Sequence, residues 1–291
     1  MITIISTITM NNFFVINQLR EIWGWDFMRH ALEAGTIVAI VAGVVGYFVV
    51  VRRSSFAAHA LSHAGFAGAA GAVLLGLNPM FGLLAFTIGG GILMGALGKK
   101  AEGRDVQVGT VLSFMLGVGV LFISLYKGYA TEAYSLLFGE ILGISESNVI
   151  VSLIAGIVIL VALACIYRPL LFSSLDEDVA EAKGLPVFGI GIVFMILIAI
   201  ATSISVQIVG VLLIFALMVT PAAIAERLAR TPAKGIAISV AVALLATWTG
   251  LILAFYLPYP VSFFITSIVF LLYGATRFFG AQRRRGASAG H

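Results

Sequence analysis

The chain has 291 residues, of which 61% are hydrophobic and only 10% are charged, whereas about 25% of residues are charged in an average soluble domain. With a mean hydropathy of +1.12, it has too few polar residues to cover a soluble globular domain. This composition favours a protein whose solvent is the lipid bilayer. The single cysteine, Cys165, excludes an intrachain disulfide and a metal site built from several thiolates.

Apolar segments of membrane-spanning length predict an all-α, polytopic transmembrane helical bundle that forms a single domain over 1–291. Before them, residues 1–30 place aromatic side chains between polar ones, which indicates an interfacial N-terminal helix. Residues 281–291 indicate a solvated tail. The nine candidate spans lie at about 31–51, 56–76, 80–98, 107–125, 148–168, 187–204, 206–223, 234–256 and 261–279. Because two of them are short and abut at Ser205, eight spans with one broken helix are the alternative.

The basic residues fall mostly on one side of the membrane in the nine-span interpretation. Only Arg20, Arg29 and Lys127 lie on the other side, which leaves 14 of the 17 basic residues together. Because basic loops tend to remain in the cytoplasm, we predict that the N-terminus is outside. The C-terminus, with the solvated tail, is then cytoplasmic.

The longest polar insertion, "RPLLFSSLDEDVAEAKGLPV", lies between the fifth and sixth predicted spans. Ser174 can cap a helix there, with Glu177 three residues on as its capping-box partner, while Gly184 and Pro186 indicate where the helix ends. The pattern predicts a short cytoplasmic helix over 171–186. It is either an ordinary loop helix or a rigid element through which a membrane subunit receives force from a soluble motor.

On the outer side, "TEAYSLLFGEILGISES" is half apolar and too short to cross the membrane. It predicts a re-entrant or lid helix over a cavity, because irregular backbone at membrane depth needs cover from protein. Its centre, Phe138, Gly139 and Glu140, is a candidate outer gate. An interfacial helix with no gating role is the alternative.

The second predicted span carries "HALSH", which places His59 and His63 four residues apart. Residues at this spacing share one helix face, with Cβ atoms about 5–6 Å apart. Imidazole is the commonest metal ligand, and polar groups inside a membrane are costly and usually functional. The alternative is a pair of hydrogen-bonded core histidines. The small residues around the pair would allow a second helix to approach closely.

Two common catalytic patterns are missing from the sequence. HALSH differs from the H-E-x-x-H of metalloproteases, since Ala60 stands where the general base would be. The stretch "GALGKK" resembles a phosphate-binding loop but has Lys100 where Ser or Thr would hold magnesium. We therefore expect a chain that is not an enzyme and does not hydrolyse ATP itself.

Five blocks occur in order along the chain: "RRSSFAAHALSHAGFAG", "GRDVQVGTVLSF", "FGEILGIS", "RPLLFSSLDEDVAEAKGLPV" and "VGVLLIFALMVTPAA". They resemble the permease subunit of ABC-type importers for zinc, manganese or iron. The resemblance runs over nearly the whole length, and five ordered blocks are far more specific than any single motif.

The resemblance implies a bacterial plasma-membrane permease that works as a homodimer. Its partners would be two ABC ATPase subunits and an extracytoplasmic metal-binding protein, with no nucleic acid. No cofactor would be bound permanently, because the divalent metal ion (zinc, manganese or iron) is the cargo. The resemblance also implies that a coupling helix docks on the ATPase, with the residues Leu175, Asp176, Glu177, Asp178, Val179, Ala180, Glu181, Ala182, Lys183, Gly184, Leu185 and Pro186.

The resemblance further implies a pore-lining metal contact on the second span. There the family usually has an aspartate followed four residues later by a histidine. This sequence keeps the histidine as His63 but has His59 where the aspartate is expected. Replacing a hard oxygen with nitrogen disfavours manganese relative to zinc.

Three other interpretations remain open. A secondary cation carrier or channel would transport without ATP, although no acidic residue lies in the middle of any predicted span. An ABC permease could instead take a metal chelate or another small solute. A membrane metalloenzyme would use the two histidines as ligands, but it would need further ligands or a general base, and the sequence offers few.

Overall fold

The computed structural model describes residues 24–97, 104–126 and 141–288, and this part of the chain is helical without any strand. Nine of its helices have 18 residues or more. Two short helices and a 3-10 turn complete the described elements. In chain order they are α1 (Asp26–Val51), α2 (Ser55–Leu74), α3 (Pro79–Leu97), α4 (Arg104–Leu125), the 3-10 turn (Ile141–Gly143), α5 (Glu146–Cys165), α6 (Tyr167–Leu175), α7 (Glu177–Ala182), α8 (Val187–Val209), α9 (Val211–Leu228), α10 (Pro232–Tyr256) and α11 (Val261–Ser288).

Among the described residues, eight helices are long and apolar enough to cross a membrane. The helix α2, which carries the two histidines, is not one of them, although its 20 residues are enough for a span. It packs against α3, α4, α8 and α9, so most of its surface meets protein. The fold is therefore the predicted all-α membrane bundle, with the histidine-bearing helix enclosed by others.

Helix α1 forms the centre of the bundle, where it packs against α5, α8, α9 and α10. It runs antiparallel to α10, since Gly35 lies against Thr247 and Gly43 lies against Val240. The Ser239 hydroxyl donates a hydrogen bond of 2.8 Å to the Gly43 carbonyl. This polar contact between two spans is satisfied inside the protein, as the bilayer requires.

Two predicted boundaries were wrong, and the predicted tail begins as helix. Helix α1 begins at Asp26, so residues 26–30 belong to the first long helix and not to an interfacial one; the rest of that predicted interfacial segment, 1–23, lies outside the described residues. The last helix continues to Ser288, into the predicted tail. The break expected at Ser205 lies at Gly210, whose φ of 82° and ψ of 163° fall in a region that is essentially open only to glycine.

Glycine also sets the distance between α2 and α3. Gly68 and Gly82 face each other so closely that a Cβ on either would run into the backbone carbonyl of the other. Close approach through small residues is how helices pack in lipid, where the hydrophobic effect gives no preference for helix contacts. The histidine-bearing helix is thereby fixed against its neighbour within the same chain.

Candidate functional site

The two predicted metal-contacting residues lie side by side on α2. The ring centroids of His59 and His63 are 4.6 Å apart, and the ring planes meet at 84°. Phe215 of α9 also contacts His59, with ring centroids 4.7 Å apart. The structure thus brings the two imidazoles together, as the four-residue spacing predicts.

The histidines occupy a face of α2 that the other described residues leave partly open. Between Ala57 and Ala72 every residue is buried except four that are half-buried, and these recur at helical spacing on one face: His59, His63, Phe66 and Ala70. The small residues predicted to admit a neighbouring helix do so within this chain, since Gly65 and Gly68 face α3. Among the described residues, this half-buried face is where a ligand or a further protein surface could reach the middle of α2.

Within the described residues, the pair gains no third ligand from this chain. No group of three or more His, Cys, Asp or Glu side chains is close enough there to hold a metal ion. The Nδ1 atom of His59 is buried and has no hydrogen-bond partner in the described part of the chain. Two nitrogens with little else around them make a weak, open site, unlike the closed four-ligand sites of structural zinc.

In place of one predicted helix over 171–186, the structure has two short helices, α6, which already begins at Tyr167, and α7. We call them the coupling segment, after the role that the family resemblance implies. The helical backbone is interrupted between them at Asp176. The carboxylate of Asp176 accepts a 3.0 Å hydrogen bond from the Val179 amide. Asp176 is therefore the N-cap of α7. The predicted cap, Ser174, was wrong, because its hydroxyl donates to the Leu170 carbonyl one turn back inside α6.

The predicted end of this helix was correct. Gly184 has a φ of 81°, and its amide donates a 2.9 Å hydrogen bond to the Glu181 carbonyl, while the Leu185 amide donates a 3.1 Å bond to the Ala180 carbonyl. These two bonds form a Schellman motif, which closes a helix with glycine in the left-handed conformation. Helix α7 is thus capped at both ends, which gives this short element a defined shape.

The candidate outer gate, Phe138, Gly139 and Glu140, lies outside the described residues. The described part of the outer segment begins with the 3-10 turn. Ile141 and Ile144 are buried there, and Ile141 lies near Gly35 of α1.

Two residues at the site escaped the sequence analysis. Phe215 contacts His59, although 156 positions separate them in the sequence. Arg52 was interpreted only as a basic residue between two spans, yet it is 8% exposed and binds the coupling segment. Its guanidinium donates a 2.8 Å hydrogen bond to the Ser173 hydroxyl. The only sequence signal was its place directly before the histidine-bearing helix.

Comparisons with known proteins agree with this architecture. The chain is 32% identical over 222 residues to the manganese transport system membrane protein MntC of Listeria monocytogenes, covering 76% of this chain and 79% of that one. It is 29% identical over 234 residues to the high-affinity zinc uptake system membrane protein ZnuB of Haemophilus influenzae, covering 80% and 90%.

A solved structure shares the fold. It is that of PsaBC from Streptococcus pneumoniae in complex with Fab, at 27% sequence identity with a TM-score of 0.80, covering 90% of this chain and 95% of that one. The family described as the ABC 3 transport family matches residues 24–279, which is most of the chain. This multi-pass membrane protein therefore belongs to the ABC 3 transport family.

Proposed function

We propose that this chain is the membrane permease of an ABC importer that moves a divalent metal ion inward, while a partner chain hydrolyses ATP. The observation that carries the proposal is the imidazole pair on the half-buried face of α2, in a chain of this transport family. Two of its relatives are named for manganese and zinc transport. A metal ion is therefore the cargo that the site chemistry and the family both favour.

The open face of α2 is where a second copy of the chain would complete the path. If a two-fold axis ran beside this face, the two histidines of the second copy would face His59 and His63 across it. Two-fold dimers are the commonest oligomers. With the ion shared between two copies, each contributes only two nitrogens. The ion would bind tightly enough to enter and weakly enough to leave.

The coupling segment would receive the movement of the ATPase. It is rigid, since Asp176 caps one end of α7 and the Gly184 turn closes the other. It also carries exposed apolar side chains at Leu175 and Val179. An exposed apolar residue on a polar, well-capped helix is suited to docking in a groove of a soluble partner. On this proposal α6 and α7 lie in the cytoplasm, and an extracytoplasmic binding protein delivers the ion on the opposite side.

We further propose that the imidazole pair favours zinc over manganese. The family pattern has an aspartate where this chain has His59. Nitrogen ligands suit zinc, whereas hard oxygen ligands suit manganese. The two rings of His59 and His63 would turn their nitrogens toward one point, because zinc–nitrogen distances are about 2.0–2.1 Å.

The proposal is tested by uptake into liposomes that contain this permease and the ATPase subunit that co-purifies with it, with the metal-binding protein added outside. We expect zinc to enter only when ATP is present inside, on the side of the ATPase. Equal uptake without ATP would indicate a carrier or channel instead. Uptake of a metal chelate but not of free zinc would assign the chain to chelate transport.

A further inference from the structure

A buried arginine connects the two parts of the proposed machinery. The side chain of Arg52 is only 4% exposed. One nitrogen of its guanidinium donates 2.8 Å and 3.4 Å hydrogen bonds to the hydroxyls of Ser173 and Ser174. The other lies 3.4 Å from a carboxylate oxygen of Glu177, which is the first residue of α7. One guanidinium thus contacts both helices of the coupling segment.

The backbone of Arg52 lies at the joint between α1 and α2. Arg52 is the last residue before the reversal, and Arg53 follows with a φ of 54°, in the left-handed region where glycine is usual. Ser54 then stands at the N-cap position of α2, and its hydroxyl donates to the Arg52 carbonyl at 3.3 Å. His59 follows one turn after Ser55, about 6 Å further along the helix.

We propose that Arg52 is the positioning residue through which movement of the coupling segment reaches the histidine-bearing helix. Its guanidinium is bonded to α6 and α7 and would move with them. Its backbone lies directly before α2. A shift of the coupling segment would therefore move the first turn of α2 and the imidazoles above it. This inference rests on the proposed function, because it assigns a role within ATP-driven transport.

The chemistry of the contact suits a mechanical link more than a contribution to stability. Glu177 remains 37% exposed, and ion pairs with one solvated partner contribute little to folding. A guanidinium, in contrast, holds several acceptors in one fixed plane, which the single ammonium of lysine cannot do. The group also lies 5.8 Å from the centre of the Phe194 ring of α8, so it packs against the bundle as well as against the coupling segment.

The partners of Arg52 make a clean substitution available. Ser173 and Ser174 both donate hydrogen bonds to the Leu170 carbonyl, so they keep a partner when the guanidinium is removed. Glu177 is exposed enough to be hydrated. Arg52→Met keeps an unbranched side chain of similar length in the apolar site beside Phe194. We therefore expect Arg52→Met to insert and assemble.

The test measures the number of zinc ions taken up per ATP hydrolysed, in liposomes containing the permease and its ATPase. We expect Arg52→Met to lower this ratio at least about fivefold, the low end of coupling between distant sites, while ATP hydrolysis continues. The ratio of Arg52→Lys should lie between those of Arg52→Met and the wild type, because lysine keeps the positive charge but lacks the planar guanidinium. Arg53→Met is the matched control, because it removes the same charge from the exposed neighbour, and its ratio should equal that of the wild type.

Ser173→Ala provides a second route, because it removes the shortest hydrogen bond of Arg52 without touching the charge. We expect it to lower the ratio partially, and it decides the question if Arg52→Met does not assemble. An unchanged ratio in Arg52→Met, or in Ser173→Ala alone if Arg52→Met is lost, would overturn the inference. A wild-type protein that shows no ATP-dependent zinc uptake would instead overturn the proposed function.

Discussion

The imidazole ring of His59 contacts two aromatic neighbours, His63 at 4.6 Å and Phe215 at 4.7 Å between ring centroids. His63 lies on the same helix, α2, whereas Phe215 lies on α9. A movement of α2 against α9 would therefore change the surroundings of the two imidazoles. The Nδ1 atom of His59 has no hydrogen-bond partner in the described part of the chain. The arrangement therefore offers a metal ion two nitrogens whose position depends on how α2 and α9 are placed.

The cap at Asp176 provides a first prediction. We expect Asp176→Ala to destabilise α7 by about 0.5–2 kcal/mol, because the Val179 amide loses its acceptor. Hydrogen exchange at the Val179 amide should accelerate, and the zinc-per-ATP ratio should fall. Asp176→Asn is the matched control, since asparagine caps a helix about as well as aspartate. If Asp176→Ala and Asp176→Asn show the same hydrogen exchange at Val179 and the same zinc-per-ATP ratio, the cap does not shape the coupling segment.

The turn at Gly184 provides a second prediction. Proline fixes φ near −65° and lacks the amide hydrogen, whereas Gly184 has a φ of 81° and donates to the Glu181 carbonyl. We expect Gly184→Pro to insert in the membrane but to uncouple ATP hydrolysis from uptake. Gly184→Asn should retain most of the coupling, because asparagine tolerates the left-handed conformation. Normal uptake by Gly184→Pro would remove the coupling assignment from this helix.

The orientation of the chain is tested by labelling single cysteines in whole cells. Cys165 is exposed in the chain and must first be replaced by alanine. In that background, Leu175→Cys and Ser145→Cys both place a thiol at an exposed position. We expect a membrane-impermeant reagent to label Ser145→Cys from outside and Leu175→Cys only after the membrane is opened. Labelling of both from the same side would show that α5 does not cross the membrane between them, and the reversed pattern would show that the predicted orientation is wrong.

The contact between Gly68 and Gly82 predicts a site-specific loss of stability. We expect Gly68→Ala to destabilise the protein by roughly 1–3 kcal/mol, because the added methyl group would meet the Gly82 carbonyl and force α2 and α3 apart. Gly89→Ala on α3 is the matched control, since no atom lies within 4 Å of the position of its added carbon. Thermal unfolding in detergent compares the two. Equal melting temperatures would contradict the close packing.

Much of the fold could be predicted from the sequence because helices that cross a bilayer must be apolar and of sufficient length. The positions of the long helices follow from this rule, and the spacing of His59 and His63 placed them on one face. The break was predicted at Ser205, where two short apolar segments abut, but the helix continues through Ser205 and Gln207 to Val209. A permissive glycine, and not a change in hydropathy, ends the helix there.

The contacts of Arg52 show what a linear pattern cannot reveal. Its partner Ser173 is 121 positions away, and no periodicity links a loop arginine to a serine between two other helices. The same holds for the cap of α7, where Ser174 and Asp176 were both suitable residues. The choice of Asp176 depends on where α6 ends, because Ser174 is still inside that helix and bonds to its own backbone.

The most direct test of the account is the metal preference of the imidazole pair, measured as ATP-dependent uptake of zinc and manganese by reconstituted wild type, His63→Ala and His59→Asp. We expect His63→Ala to lower zinc uptake by roughly tenfold or more. Removing even a residue that only hydrogen-bonds to a metal ligand lowers metal affinity or activity by about that factor. His59→Asp should retain uptake but shift toward manganese, since an oxygen replaces a nitrogen. His30→Ala, which removes an imidazole on α1, should behave as wild type. If all of these proteins transport the same metals at the same rates, the two histidines serve only in packing and the account is contradicted.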